Sequence, residues 1–276
     1  MIFLNDRLVS AEEARIDPAD RGLLLGDGLF ETLLCRSGRI ERLEAHLARL
    51  RAGAAVLGIL PPDLDLAEAA ATLLEANELT ARDAALRITL TRGLGPRGLL
   101  PPDEARPTLL ISAVAQPAAQ ERALSAVVAT IRRNEQSPLS RLKTLNYLDN
   151  VLAKREAVAR GADEAILLNT VGRLASATAA NLFLVRGRSL FTPPPSEGVL
   201  PGITRAAILE LAPALGLAPV EAPLEPGQLR DADEAFVSNS LIGVRALASL
   251  DGQSIGDGAS GPTVRRLSPA LLEQAP

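Results

Sequence analysis

The chain is poor in several side chains that often carry polar chemistry. Its 276 residues include one cysteine, one histidine, one tyrosine and one methionine, and no tryptophan. A single cysteine, Cys35, excludes an intramolecular disulfide. With His46 as the only histidine, a structural zinc site is not expected, and a His-rich metal site and a separate histidine catalyst cannot coexist. No metal is therefore expected. Basic charge is not in excess either: the net charge is −4, which gives no reason to expect a nucleic-acid partner. No stretch is long and apolar enough to read as a membrane span, and the opening residues do not read as a signal peptide, so the expected location is the cytoplasm.

Lysine is the most telling scarcity. Of 29 basic residues only Lys143 and Lys154 are lysines. Arginine replaces lysine wherever positive charge alone is wanted. It cannot do so where a deprotonated amine must attack a carbonyl, because guanidinium keeps its proton. A lysine can be desolvated and used as a covalent nucleophile. Two survivors are thus two candidates, set against the plainer reading that both lie on solvated faces. Lys154 sits in the charged helical run Leu-Ala-Lys-Arg-Glu-Ala and reads as surface. Lys143, in Arg-Leu-Lys-Thr-Leu-Asn-Tyr-Leu, precedes a long amphipathic segment and is the better candidate.

What is present supports a folded chain of two domains: 47% of residues are hydrophobic and the length accommodates a sizeable core. Residues 1–9 predict a hairpin turning at Asn5-Asp6, and 29–35, 85–91 and 108–114 predict strands. Leu43, Leu47, Leu50 and Ala54 recur at helical spacing up to Gly58, and a second helix is expected over 66–76. This makes an α+β unit over residues 1–114. Residues 115–120 read as a linker, and 121–276 as a larger domain. In it, strands are expected over 123–131, 164–168, 181–185 and 234–238, and helices over 144–160 and 204–215. Leu145, Leu148 and Leu152 are the expected buried stripe of the first of these helices.

Pro201-Gly-Ile-Thr-Arg205 opens a helix after a loop. Its unpaired N–H groups and positive dipole end suit an anion, although a Gly-x-Thr start is more often an ordinary cap. Ser238 and Ser240, after the strand at Phe236, offer further phosphate donors. Arg49 offers a charge-assisted bond, against its reading as a solvated helix arginine. An amine nucleophile, a phosphate cradle and no electrophile of the chain's own together point to pyridoxal 5′-phosphate.

Six ordered stretches then carry a specific resemblance: Asp20-Arg-Gly-Leu-Leu-Leu-Gly-Asp-Gly-Leu-Phe-Glu-Thr32, His46-Leu-Ala-Arg-Leu50, Arg92-Gly-Leu-Gly-Pro-Arg-Gly98, Leu142-Lys-Thr-Leu-Asn-Tyr-Leu148, Ala180-Asn-Leu-Phe183 and Gly198-Val-Leu-Pro-Gly-Ile-Thr-Arg205. The chain resembles the class IV aminotransferases, fold type IV of the pyridoxal-phosphate enzymes. That family includes branched-chain and D-amino-acid aminotransferases and 4-amino-4-deoxychorismate lyase. The resemblance implies an α+β fold with a small domain and a larger barrel-like one, and a homodimer acting on a small amine or amino acid. It implies Lys143 as the Schiff-base lysine and proton shuttle. Arg49, Ile203, Thr204 and Ser240 fall at the phosphate, Leu200 under the ring, and Arg97 at a substrate carboxylate.

One departure stands out. Where the family carries a glutamate for the ring nitrogen, five residues before Asn181, this chain has Ser176. A hydroxyl can hydrogen-bond the nitrogen but supplies no charge to keep it protonated. Transamination depends on that electron sink, and an elimination that forms an aromatic product depends on it least. The Arg92–Gly98 loop, with Leu99 where D-amino-acid aminotransferases usually carry histidine, also resembles the lyase. Phe30 stands where many aminotransferases of the family carry a tyrosine, which removes a hydroxyl from the pocket, and Ala-Ala-Asn-Leu-Phe is likewise close to the lyase. The expected activity is aminodeoxychorismate lyase, in folate biosynthesis. An aminotransferase and a non-catalytic cofactor-binding protein are the alternatives.

Overall fold

A computed structural model of the chain describes residues 1–117 and 122–274. The backbone divides into two compact units, one of residues 1–118 with 142–146, the other of residues 119–141 with 147–276. Residues 118–120 of the expected linker lie outside the described residues, and Ala115 belongs to a strand.

The first unit is built on an antiparallel sheet of β1 (Ile2–Leu4), β2 (Arg7–Val9), β3 (Gly28–Arg36), β4 (Arg39–Ile40), β5 (Ala84–Thr91) and β6 (Thr108–Ala115), in the order β2-β1-β6-β5-β3-β4. The opening hairpin forms as its sequence predicts, with Asn5 left-handed at the turn (φ 58°), a conformation asparagine tolerates well. Helices α1 (Arg21–Leu25), α2 (Leu43–Leu57) and α3 (Leu66–Ala76) complete the unit. Asp65 caps α3 by accepting from the N–H groups of Ala67 and Glu68, and α2 ends on left-handed Gly58. The apolar spacing in α2 does what it predicts: Leu47, Leu50 and Ala54 join Leu29 and Leu33 of β3 and Leu86 and Ile88 of β5 in one core. Helix α1 escapes prediction because five residues show too little periodicity.

The second unit carries β7 (Leu124–Arg133), β8 (Glu164–Asn169), β9 (Leu174–Ala177), β10 (Asn181–Arg186), β11 (Ser189–Thr192), β12 (Ala218–Glu221), β13 (Glu234–Asn239), β14 (Gly243–Leu250) and β15 (Gln253–Ser254). Their order is β12-β11-β10-β13-β14-β7-β8-β9, with β15 on β14. The sheet is mixed: β7 runs parallel to both β8 and β14, and β11 parallel to β12. Helices α4 (Leu148–Ala159), α5 (Ile203–Leu211), α6 (Pro226–Arg230) and α7 (Pro262–Glu273) accompany it. No helix among the described residues is long and apolar enough to cross a membrane.

Two expectations need correction here. Residues 142–146 belong with the first unit and not the second. Thr144 bridges Leu29 of β3 and the segment is not helical, so α4 begins only at Leu148. The leucine stripe of α4 is also wrong. Leu148 is 67% and Leu152 40% exposed, whereas Asn150, Ala153 and Ala157 are buried. Small side chains let the helix lie close on β7 and β8, and the leucines face outward.

Candidate active site

Lys143 is held by main-chain pairing with β3. The Phe30 N–H donates to the Lys143 carbonyl at 2.9 Å, and the Leu145 N–H donates to the Gly28 carbonyl at 3.0 Å. Residues 143–145 therefore act as a short added strand, and the lysine's place is set by backbone bonds. A Cβ on Gly28 would fall 2.5 Å from the Leu90 carbonyl, so only glycine admits this arrangement. The half-buried Lys143 puts its Nζ 4.4 Å from the centre of the Phe30 ring. Phe30 is itself buried, and the guanidinium of Arg87 also lies over its ring, at 3.8 Å. Lys154 is a surface residue, 3.6 Å from Glu164.

Next to Phe30 on β3, Glu31 is 1% exposed. Its carboxylate accepts from Arg49 Nε at 2.8 Å and Nη2 at 2.6 Å, and faces His46 Nδ1 at 2.7 Å. Burial alone would raise the Glu31 pKa, but the bonds from Arg49 and His46 outweigh it and hold the pKa below the ordinary range. Burial pushes the His46 pKa down, more than the Glu31 bond lifts it, and the nearby Lys143 charge adds to the lowering. A neutral imidazole beside an ionised carboxylate must carry its proton on Nδ1 and donate it to Glu31.

A second buried charge cluster supports the loop that carries Arg97 and Leu99. Arg21 donates to Asp27 at 2.8 Å and to the carbonyls of Gly98, Leu99 and Leu100 at 3.0, 2.8 and 3.3 Å. Arg92 donates to the same Asp27 at 2.7 Å. Burial would raise the Asp27 pKa, but the two arginines prevail and lower it. Arg97 and Leu99 are both exposed.

In the second unit, α5 begins at Ile203 after Gly202, which gives no side-chain cap. The first N–H groups of the helix thus have no intrahelical acceptor. Thr204 is 4% exposed, and its hydroxyl has no hydrogen-bond partner among the described residues. A Cβ on Gly202 would meet Asn181 Oδ1 at 2.1 Å, while Asn181 Nδ2 donates to the Ser238 carbonyl at 2.8 Å. Asn181 therefore sets the path of the chain into α5. Ser240 is half-buried in the loop after β13, where Asn239 Oδ1 accepts from the N–H groups of Leu241 and Ile242, both at 2.9 Å. Ser238 does not belong with it: the residue is fully buried in β13, and its hydroxyl accepts from Asn181 at 3.1 Å.

Leu200 is half-buried in the loop before α5. Arg133 steadies that loop, donating to the Gly198 carbonyl at 3.2 Å and to the Ser140 carbonyl at 3.2 Å. Ser176 lies on β9 opposite Leu167, half-buried, and its hydroxyl has no partner among the described residues. The buried carboxylates of this unit are engaged elsewhere. Glu164 accepts from Thr178 Oγ1 at 2.6 Å and the Ala165 N–H at 2.8 Å, and Glu197 accepts from Asn169 at 2.6 Å and Arg173 at 3.2 Å.

The structure thus brings Lys143, Phe30, Glu31, His46, Arg49 and Arg87 into the first unit, and Ile203, Thr204, Ser240, Leu200 and Ser176 into the second. Glu31, Arg87, Arg21 and Asn181 were not foreseen. Glu31 did carry a signal, as a lone charge within the run Leu29-Phe-Glu-Thr-Leu-Leu34. Arg87 carried none.

A mixed α+β fold, a lysine fixed against a strand in the first unit and an uncapped helix start in the second fit a pyridoxal-phosphate enzyme of fold type IV. Residues 28–250 match the family model for amino-transferase class IV, and the chain belongs to that family. It is 34% identical to a putative branched-chain-amino-acid aminotransferase of Methanocaldococcus jannaschii, over 96% of this chain and 93% of that protein. It is 33% identical to the D-alanine aminotransferase of Bacillus licheniformis, over 98% and 95%. With the aminodeoxychorismate lyase of Bacillus subtilis it shares 30%, over 93% and 88%. Among solved structures, the branched-chain amino acid aminotransferase of Escherichia coli superposes with a TM-score of 0.93 at 30% identity, covering 99% of this chain and 94% of that one. A second branched-chain amino acid aminotransferase, from T.th. and solved with pyridoxamine 5′-phosphate, does so at 0.92 and 29%, covering 99% and 92%.

The residues present fit the cofactor. Its phosphate needs N–H and hydroxyl donors without a competing acceptor, which the start of α5 and Thr204 offer. Its carbonyl needs an amine, and its ring needs an apolar support.

Proposed function

We propose that this chain is an aminodeoxychorismate lyase, which converts 4-amino-4-deoxychorismate into 4-aminobenzoate and pyruvate. Pyridoxal phosphate, when bound, supplies a carbonyl that captures the substrate amine and a ring that takes up electrons. Ile203 and Thr204 would hold its phosphate through N–H and hydroxyl groups, and Arg49 and Ser240 would be further donors. Leu200 would support the ring, and Ser176 would offer its nitrogen a hydrogen bond. Lys143 would supply the amine for the cofactor's carbonyl carbon. Lys143 Nζ then removes the proton from the amine-bearing ring carbon. The C–O bond to the enolpyruvyl group breaks and the ring becomes aromatic. Lys143 returns a proton to the departing methylene carbon, which becomes the methyl group of pyruvate, so atoms and electrons balance. Arg97 would meet a substrate carboxylate, and Phe30 and Leu99 would be further substrate contacts.

The observation that carries this reading is Ser176. Its hydroxyl has no protein partner among the described residues, and the buried carboxylates Glu164 and Glu197 already serve other groups. A ring nitrogen met by a hydroxyl is a weaker electron sink, and aromatisation can do without the stronger one. The product would feed folate synthesis in the cytoplasm. We extend the reading to a homodimer, which the exposed leucines Leu23, Leu24, Leu99 and Leu100 of the first unit support.

A second reading, an amino-acid aminotransferase, draws support from the slightly higher identity to two aminotransferases. The test supplies the cofactor-loaded protein with aminodeoxychorismate, and separately with D- and L-amino acids plus a keto acid. Release of 4-aminobenzoate well ahead of amino transfer supports the lyase. The reverse order overturns it in favour of the aminotransferase, and no turnover of either leaves a cofactor-binding protein. In Ser176→Glu, amino transfer should rise by about tenfold or more relative to lyase turnover. An unchanged ratio would remove the ring-nitrogen argument.

A further inference from the structure

Glu31 has no place in the mechanism above, yet it is the most enclosed carboxylate of the first unit's site. An ionised carboxylate at 1% exposure is costly unless it is paired and hydrogen-bonded. Its partners are Arg49 and His46, three residues apart on α2 and so on one face of that helix. Arg49 reaches it through both Nε and Nη2, at 2.8 and 2.6 Å. A guanidinium held by two parallel bonds along one edge has its plane fixed, and its remaining N–H groups are directed away from that edge. His46, the only histidine of the chain, donates to Oε2, the oxygen that also accepts from Arg49 Nη2. That bond fixes the carboxylate in turn. Lysine could not replace Arg49 here, because an ammonium has no edge to hold.

We propose that Glu31, steadied by His46, is a positioning residue that aims Arg49 at the cofactor's phosphate and so sets the affinity for it. The inference rests on the reading of Arg49 as a phosphate donor. It adds that the aim comes from β3, on the same stretch of strand that holds Lys143 through Phe30 and Gly28. One strand would then orient both the group that takes the cofactor's carbonyl and the group that takes its phosphate.

The test compares two ligands on the cofactor-free protein by equilibrium dialysis: pyridoxal phosphate, and pyridoxal, which lacks the phosphate. In Glu31→Gln the Kd for pyridoxal phosphate should rise by about tenfold or more, with the Kd for pyridoxal within about twofold of the unaltered protein. His46→Gln, which leaves the Glu31–Arg49 pair in place, should shift the same ratio less. Should Glu31→Gln not fold, the ratio in His46→Gln decides. Equal weakening of both ligands would show a merely structural role and overturn the proposal, as would no change in either. Arg49→Met separates the two levels. If it alone spares the phosphate preference, the reading of Arg49 fails. If it loses that preference while Glu31→Gln keeps it, the phosphate reading stands and the positioning role fails. In an Arg49→Met background, Glu31→Gln should have no further effect on the ratio.

Discussion

The two units solve the problem of presenting polar groups in opposite ways. The first relies on charged side chains, each held by a buried counter-charge: Arg49 on Glu31, and Arg21 and Arg92 on Asp27. The second presents backbone N–H groups and hydroxyls at a helix start, with Asn181 and Arg133 fixing the loops around them. Charged side chains need costly pairing but can be aimed over several ångströms. Helix-end donors are aimed by the helix itself and need only a backbone kept clear of side chains. The first arrangement should therefore fail when a partner is removed, and the second when bulk is added.

The largest effect is expected where the contrast does not apply, at the amine itself. Lys143→Ala should cost at least about three orders of magnitude in turnover, measured as pyruvate or keto-acid release, because no other lysine neighbours Phe30. Turnover near the unaltered rate would refute the role. Arg21→Met tests the charged arrangement. It strips three carbonyls of their donor and should lower stability by about 3 kcal/mol in urea unfolding, with faster proteolysis near residues 97–100. A loss below about 0.5 kcal/mol would show that the loop holds without it. Gly202→Val tests the other arrangement. Its Cβ collides with Asn181, which should cost about 1–3 kcal/mol and weaken pyridoxal phosphate more than pyridoxal.

The smallest effect is on pH dependence, and it should trace to the first unit. The folded pKa values of Glu31 and Asp27 lie below their ordinary values of 4.5 and 3.8. Their stabilisation is thus present above those values and is lost as pH falls through the folded pKa. His46, lowered from 6.5, binds its proton more readily in the unfolded chain, so it too makes stability fall with pH, beginning near 6.5. All three act in the same direction. Unfolding free energy measured from pH 7 to 4 should decline less steeply in Glu31→Gln. An identical slope would assign the acid sensitivity elsewhere.

Legibility followed the same division. Strand and helix positions in the first unit could be read almost to the residue, because α2 and α3 have clear apolar spacing and clear ends at Gly58 and Asp65. Around Lys143 the reading failed. Thr144 to Tyr147 look helical by composition, but the backbone bonds of Lys143 and Leu145 to β3 outweigh local preference, and the helix starts only at Leu148. On α4 the leucines suggested the wrong face, since close approach to the sheet favours alanine over bulk. Ser238 and Ser240 look equivalent in sequence. Ser238 lies inside β13, where residues 235–238 are all buried, and Ser240 lies in the turn that follows.

The sequence by itself determined the chemistry available to this protein. A lysine kept where arginine replaces nearly every other cation, a Gly-Ile-Thr helix start and six ordered motifs are statements about residue identity, and identity is local information. Tertiary structure alone decided which charges share a partner, that Glu31 lies under Arg49, that Arg87 and Lys143 meet on one ring, and that Arg21 holds the Arg97 loop from 77 residues away in sequence. These pairings depend on strand register and on which face of a helix is buried, and those are set by the packing of the whole unit.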